Sequence, residues 1–258
     1  MLNDEAYLRF GRQLLLPEWG EAGQQRLADK RVLVIGLGGL GCPALQYLAG
    51  AGIGAGERGA LVLMDGDRIS LSNLPRQTLY RADQIGQSKA QAAKAWAKQH
   101  NPGIRVEALA QMASAEGLPK RLAGIDLVLD CTDNLASRHA INRACVRAGV
   151  PLISGAAIGW QGQLMVIEPG AVDAPCFACF SDPADSADAA SCREAGVVGP
   201  VVGAVGTLQA LMALRLLLGL PPEHKLHRFD GLTVHWQAFK LAKADDCPLC
   251  GSAAEERV

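Results

Sequence analysis

Four glycines near the start of the chain have the spacing of a phosphate-binding turn. They are Gly36, Gly38, Gly39 and Gly41 of GLGGLG, which follows the β-forming run Val32–Ile35 and precedes a helical apolar pattern. Strand, glycine-rich turn and helix in that order are typical of the first βαβ unit of a nucleotide-binding sheet. Glycine lets phosphate oxygens approach backbone N–H groups because it has no Cβ. The turn therefore predicts a bound nucleotide without identifying it.

An acidic residue after the second predicted strand leaves two nucleotide classes open. Asp65 follows the predicted strand Ala60–Met64 and lies 24 residues after Gly41. A carboxylate at this point of such folds binds a ribose. Both NAD(P) and ATP carry that ribose, so the glycine turn and Asp65 do not distinguish a dehydrogenase from an ATP-using enzyme.

The polar segment that follows favours a triphosphate. Ser72, Asn73 and Arg76 belong to the non-helical stretch SNLPRQ, and Lys89 lies within the predicted helix Gln84–Gln99. An arginine and a lysine at the mouth of a nucleotide site stabilise the charge that builds as pyrophosphate leaves. A nicotinamide site has no need of them. Taken singly, either residue is more commonly a solvated surface charge.

A second acidic motif, DCTDN, runs from Asp130 to Asn134 and joins a predicted strand to a predicted helix. The carboxyl ends of strands line the ligand crevice of open α/β sheets. Asp133 is compatible with two roles there, the N-cap of the helix or an oxygen ligand of Mg²⁺. The local sequence leaves both open.

Two Cys-x-x-Cys pairs predict a structural zinc site. They are Cys176 with Cys179, and Cys247 with Cys250 in the run CPLCG. Each pair places two thiolates on one tight turn, and four thiolates close a tetrahedral shell around Zn²⁺. The alternatives are two unrelated pairs or a redox pair. Zinc would fix the Asp-, Ala-, Ser- and Pro-rich loop 169–195 to a tail at about residues 240–251.

The order and spacing of several motifs resemble the MoeB/ThiF family of sulfur-carrier adenylyltransferases, which are relatives of the ubiquitin-activating enzymes. Between about Tyr7 and Gly251 these motifs are RFGRQ, GLGGLG, DGDRISLSNLPRQ, IGQSK, LDCTDN, SGAAIGWQGQ, CFAC, CREAGVVGP and CPLCG. The resemblance implies an enzyme that uses MgATP to adenylate the C-terminal Gly-Gly carboxylate of a ubiquitin-like sulfur-carrier protein, in molybdopterin or thiamine biosynthesis. It also implies a homodimer. Because no rhodanese-like extension follows Val258, we expect a separate sulfur-donor protein.

The resemblance also assigns roles to individual residues. It implies that Gly39 and its neighbours hold phosphate, that Asp65 binds ribose and that Asp133 handles Mg²⁺. The remaining predicted contacts to the nucleotide are Ser72, Asn73, Arg76, Lys89 and Asn134. Arg12 corresponds to an arginine that reaches the active site from the other subunit and stabilises charge on the phosphates.

Three further positions carry open questions. Cys192 matches a cysteine that some relatives use for thioester or persulfide chemistry, and it is equally compatible with an exposed spectator thiol. Pro75 stands where the family usually has glutamine, and the loop Gly54–Gly59 is longer than usual. Neither departure removes a charged position, so we expect activity to survive.

The alternation of predicted strands and helices supplies the scaffold for these residues. It predicts a single α/β domain over residues 1–258: a Rossmann-like, mainly parallel sheet with helices on both faces. A C-terminal β segment and the two cysteine knuckles extend it. Predicted strands in the second half include Pro151–Ser154 and Gln163–Glu168.

Composition narrows the function further. A net charge of −1 and a pI near 6.5 give no basic field for nucleic acid or an anionic membrane. No signal peptide opens the chain, so we expect a cytoplasmic protein. The apolar run Val197–Leu214 predicts a buried helix, not a membrane span, and helix 200–218 is a candidate dimer interface. The rival functions are an NAD(P)-dependent oxidoreductase and a non-catalytic partner subunit of an activating enzyme.

Overall fold

The strand predicted ahead of the glycine turn, β1 (Arg31–Ile35), lies inside an eight-stranded mixed sheet. The structure is a computed structural model that describes residues 2–171, 173–181 and 196–251. The other strands are β2 (Ala60–Met64), β3 (Val106–Leu109), β4 (Leu127–Asp130), β5 (Leu152–Ile158), β6 (Gln161–Ile167), β7 (Lys225–Asp230) and β8 (His235–Lys240). Across the sheet they stand in the order β3-β2-β1-β4-β5-β6-β7-β8.

Strands β1 to β5 are parallel, and their order reverses direction at β1. The chain proceeds from β1 outward to β2 and β3, then returns to place β4 on the other side of β1. Ile35 at the end of β1 pairs with Met64 of β2 and with Asp130 of β4. The residues that follow these three strands therefore meet at one edge of the sheet, where open α/β folds bind their ligands.

The last three strands are antiparallel, so the predicted parallel arrangement holds for β1 to β5 only. Strands β5 and β6 form a hairpin in which Ile158 pairs with Gln161. Both strands are longer than predicted because this pairing continues the ladder beyond the buried segments. Gly159 makes the tight turn between them with φ of +56°.

Helices cover both faces of the sheet, as predicted. They are α1 (Asp4–Leu14), α2 (Gly20–Ala28), α3 (Gly41–Gly50), α4 (Lys89–His100), α5 (Leu118–Arg121), α6 (Leu135–Ala148) and α7 (Gly199–Leu217). One buried cluster joins the sheet to α3, α4 and α7, and a second joins its other face to α5 and α6. The sheet is thus buried between two apolar layers, which fixes the positions of its strand ends.

Helix α4 begins at Lys89, five residues later than the predicted start at Gln84. Gly86 has φ of +87°, which interrupts a right-handed helix. Ser88 is the N-cap, and its hydroxyl accepts a hydrogen bond from Gln91 N. Lys89 is therefore the first residue of the helix and not an interior residue, as the predicted helix Gln84–Gln99 had placed it.

Helix α7 is the one helix in the described ranges that is long and apolar enough to cross a membrane by length and composition. It packs across the core face: Gly206 lies against the backbone of Leu40, and a Cβ there would collide. Gln209, fully buried, donates from Nε2 to the carbonyl oxygens of Asp130 and Ile153 at 2.8 and 3.2 Å. Packing inside the domain thus buries one face of α7.

Candidate nucleotide site and cysteine cluster

The glycine turn is dictated by close backbone approaches. Gly36, where β1 leaves the sheet, has φ of +89°, and a Cβ there would lie 2.7 Å from the carbonyl oxygen of Cys131. A Cβ on Gly41, the first residue of α3, would collide with the Gly36 carbonyl. Side chains are therefore excluded at both ends of the turn by the chain itself.

The two central glycines face different neighbours. A Cβ on Gly39 would lie 2.8 Å from Val202 of α7, so packing alone requires glycine there. A Cβ on Gly38 would lie 3.4 Å from the side-chain nitrogen of Gln77. Gln77 is buried, and its Oε1 has no hydrogen-bond partner within the described residues. Sequence reasoning missed Gln77, although it directly follows Arg76 in the polar segment.

Asp65 is held against the turn. Its Oδ2 accepts a hydrogen bond from Leu37 N and its Oδ1 accepts one from Asp67 N, both at 2.7 Å. Burial raises the pKa of Asp65 above its ordinary value, and these two N–H groups act in the opposite direction. The carboxylate is thus fixed beside the turn and remains partly exposed, as a group that meets a ligand must be.

Lys89 reaches the same edge through an ion pair that the sequence did not predict. Its Nζ lies 2.9 Å from Asp67 Oδ2; the lysine side chain is 6% exposed and the aspartate side chain 59%. The backbone is joined as well, since Lys89 N donates to Asp67 O. Glycine turn, Asp65, Asp67 and Lys89 thus form one continuous hydrogen-bonded chain. The sequence does contain a signal that could have pointed to Asp67, because it is the second acidic residue of the run DGD.

The polar segment is an ordered turn. Leu71–Asn73 is a short 3₁₀ helix, and Asn73 Oδ1 accepts a hydrogen bond from Ser70 N at 3.2 Å. Arg76 is half-buried and donates from Nη1 to the Ser72 carbonyl at 3.0 Å. Pro75 lies against the start of α7: a Cβ on Gly199 would lie 3.0 Å from its carbonyl oxygen. The segment is anchored beside the glycine turn with Ser72 exposed.

Asp133 is not the helix N-cap, so that alternative was wrong. Asn134 caps α6, because its Oδ1 accepts a hydrogen bond from Ser137 N at 2.8 Å. Asp133 is exposed next to it. Beneath it, the fully buried Asp130 accepts hydrogen bonds from Thr132 N and Oγ1 at 3.0 and 2.7 Å, and burial raises the pKa of Asp130.

Arg12 is exposed on α1 and lies away from these residues. Phe10, two residues earlier, packs where a Cβ on Gly52 would be. Gly52 follows the far end of α3, a helix that is about 15 Å long at 1.5 Å per residue and begins at the turn. The structure thus brings together the glycine turn, Asp65, Lys89, the polar segment and Asp133, but not Arg12. Cys192 lies outside the described residues.

The four cysteines predicted to bind zinc form a cluster. Their sulfur atoms all lie within 4.8 Å of one another. The distance from Cys176 to Cys247 is 3.7 Å, and that from Cys179 to Cys250 is 3.3 Å. Tetrahedral zinc with Zn–S bonds of about 2.3 Å separates its sulfurs by about 3.8 Å. The donor set and its spacing therefore fit zinc. Burial raises the pKa of Cys176 to about 11.

Fold and site define a nucleotide-binding α/β protein whose cysteine cluster ties its C-terminal tail to the domain. The chain belongs to the ThiF family, whose model matches residues 10–249.

Named relatives are similar over nearly the whole chain. The sulfur carrier protein ThiS adenylyltransferase of Escherichia coli (strain K12) is 46% identical over 258 residues and covers both chains completely. The molybdopterin-synthase adenylyltransferase of Salmonella typhimurium is 42% identical and covers 97% of this chain and 98% of the relative. Both relatives are adenylyltransferases by name.

A solved structure shares the fold at low identity. E. coli MccB with succinimide has a TM-score of 0.79 at 22% identity, covering 94% of this chain and 74% of that one. At this identity the likeness is one of architecture.

Proposed function

We propose that this chain is an ATP-dependent adenylyltransferase that activates the C-terminal Gly-Gly carboxylate of a ubiquitin-like sulfur-carrier protein, for molybdopterin or thiamine biosynthesis. The observation that carries the proposal is the similarity to two named adenylyltransferases, one of a sulfur carrier protein and one of molybdopterin synthase, over 100% and 97% of the chain. Lys89 and Arg76 beside the glycine turn fit a triphosphate and have no use in the rival nicotinamide reaction. Arg76, Lys89 and Asp133 are all present, which disfavours the alternative that this chain is a non-catalytic partner subunit of an activating enzyme.

The nucleotide is placed by groups that converge on the edge of the sheet. Backbone N–H groups of Gly38 and Gly39 at the start of α3 face the phosphates. The partly exposed carboxylate of Asp65 accepts the ribose hydroxyls. When ATP binds, the Lys89 ammonium leaves Asp67 and pairs with phosphate oxygens. Because Lys89 is the first residue of α4, this movement is short.

In the proposed reaction, a carboxylate oxygen of the carrier attacks the α-phosphorus of ATP. The bond between that phosphorus and the oxygen bridging to the β-phosphate breaks, and pyrophosphate leaves with the electron pair. No proton transfer and no covalent enzyme intermediate are required. Arg76 and Lys89 stabilise the growing charge on the leaving group, so catalysis is positioning and electrostatics. Mg²⁺, held by the exposed carboxylate of Asp133, would supply further charge neutralisation at the phosphates.

We propose a homodimer in which Arg12 completes the site of the partner subunit. Arg12 lies too far along α1 to reach its own glycine turn. Leu8 of α1, four residues before Arg12, and Leu15 at the C-cap of α1, three residues after it, are 87% and 75% exposed. Exposed apolar side chains around an exposed arginine are suited to packing against a second copy of this chain. The predicted interface on helix 200–218 remains a second candidate, with Leu211 half-exposed.

We propose that the cysteine cluster holds a structural Zn²⁺, since four thiolates leave no open coordination position. The ion would join residues 176–179 to residues 247–250 and hold the tail on the domain. Sulfur would reach the carrier from a separate donor protein, with Cys192 as an acceptor if this chain forms a persulfide. The seven described cysteines form no disulfide, which fits our proposal of a cytoplasmic protein.

The test is ATP–pyrophosphate exchange with candidate Gly-Gly carriers of both pathways. Exchange should require the carrier's terminal Gly-Gly and fall at least about 100-fold in Asp133→Ala. Glu57→Ala, which removes an exposed acid at the opposite edge of the sheet, is the matched control and should retain full exchange. Absence of exchange with every carrier, or full exchange in Asp133→Ala, would overturn the mechanism.

A further inference from the structure

Asn142 of α6 is fully buried beside the cysteine cluster, and one of its hydrogen-bonding groups is unaccounted for. Its Oδ1 accepts a hydrogen bond from Phe177 N at 3.0 Å, in the turn that begins with Cys176. Its Nδ2 is also buried and has no hydrogen-bond partner in the part of the chain that the structure describes. Buried amide N–H groups in proteins are paired almost without exception, so this donor requires an acceptor in the working protein.

The sulfur of Cys176 is the neighbouring acceptor. Phe177 N, which donates to the Asn142 oxygen at 3.0 Å, belongs to the residue directly after Cys176, so the same amide lies beside the cysteine that opens this turn. A neutral thiol is a weak acceptor. Metal coordination converts it to a thiolate, which carries negative charge and accepts a much stronger hydrogen bond.

We propose that Asn142 is a positioning residue for the metal centre, donating from Nδ2 to the Cys176 thiolate while its oxygen holds Phe177 N. The inference rests on the zinc role proposed above. One amide would thus fix both the ligand and the turn that presents it. Hydrogen bonds of this kind from outside the ligand set orient ligands and tune metal affinity.

A second residue on the same face of α6 supports this placement. His139 lies three residues earlier, and its ring meets Phe177 edge-on with centroids 5.0 Å apart. Its Nε2 also lies 3.3 Å from Ser181 Oγ. The segment that carries the first cysteine pair is therefore seated on α6, the helix whose N-terminus adjoins Asp133. Metal binding and the nucleotide edge share one rigid element.

The test measures zinc in the purified full chain. Metal analysis of the parent first establishes one zinc per chain, and failure there would refute the zinc proposal itself. Competition with a chromogenic chelator then gives the zinc dissociation constant of the parent, Asn142→Asp and Asn142→Ala. Asn142→Asp keeps an oxygen for Phe177 N and removes the donor. We expect zinc affinity to fall about 10- to 100-fold in both variants.

Two further measurements separate a role toward the metal from a general loss of stability. Asn101→Ala removes another buried asparagine, whose Nδ2 donates to Ala49 O at 2.9 Å far from the cysteines, and should leave zinc affinity unchanged. In the Co²⁺-substituted protein, loss of the hydrogen bond should move the sulfur-to-metal charge-transfer band to lower energy in both Asn142 variants. Zinc affinity within threefold of the parent with an unmoved band would overturn the inference.

Discussion

The ion pair between Lys89 and Asp67 yields a prediction that separates the resting protein from its ATP complex. Asp67→Asn leaves the buried ammonium without its partner at 2.9 Å. Exposed pairs contribute about 0–1 kcal/mol, whereas removing one partner of a fully buried pair costs about 3–5 kcal/mol. Here one side chain is buried and the other exposed, so we expect the free energy of unfolding without nucleotide to fall by about 2 kcal/mol.

Binding of ATP should reverse that loss, because a phosphate oxygen replaces Asp67 as the partner of Lys89. The variant should therefore bind ATP more tightly than the parent, by up to about 30-fold if the full 2 kcal/mol is recovered. Urea denaturation gives the stability, and isothermal titration calorimetry gives the ATP affinity. The adenylation rate of Asp67→Asn should not rise in parallel, because the Lys89 side chain is held less firmly in position without Asp67.

Asp83→Asn provides the matched control. Asp83 pairs with Arg81 at the same 2.9 Å, but both side chains are about two-thirds exposed. Neither stability nor ATP affinity should change measurably in that variant. ATP affinity that is unchanged or weaker in Asp67→Asn would refute the idea that Lys89 exchanges one anion for the other.

Three other predictions follow from the same structure. Gly36→Ala should lower the free energy of unfolding, measured in urea, by about 3 kcal/mol or more, because it adds backbone strain and a clash with the backbone. Gly86 has a similar φ but nothing within 4 Å of an added Cβ, so Gly86→Ala should lower the free energy of unfolding by less. Equal losses in the two variants would contradict the clash. The pKa of the buried Asp130 is raised, so the folded state holds a proton that the unfolded state has lost, and its stability falls as pH rises above the ordinary value of 3.8. The stability of Asp130→Asn relative to the parent should thus increase as the pH rises above about 4 in parallel urea titrations, and a flat difference would contradict this. Mixing the inactive variants Arg12→Ala and Asp133→Ala so that their subunits exchange should restore about a quarter of the parental ATP–pyrophosphate exchange, since half of the dimers then carry one intact site. No recovery of activity, once mixed dimers have been shown to form, would place Arg12 outside the partner's site.

Local pattern was sufficient for the elements that open the fold. The bounds of β2 are those predicted, and β1 begins one residue before the predicted run, because short runs of β-formers are delimited by charged residues and glycine. The need for glycine at Gly36 and Gly41 also followed from the turn pattern. The start of α4 did not, because a single glycine at positive φ overrode a continuous helical composition. Strand direction in the last third was equally hidden, since alternation of elements does not reveal a hairpin.

By itself, the sequence determined which chemistry is available: a phosphate-binding turn, a carboxylate for ribose, cations for a triphosphate and four thiolates. These are local properties, because spacing along the chain places each set on a turn, a strand end or a helix start. Only the tertiary structure decided which groups touch. The Asp67–Lys89 pair, the burial of Gln77, the capping role of Asn134 and the hydrogen bond from Phe177 N to Asn142 all depend on side-chain packing or strand order. Those contacts join residues that a one-dimensional pattern cannot bring together.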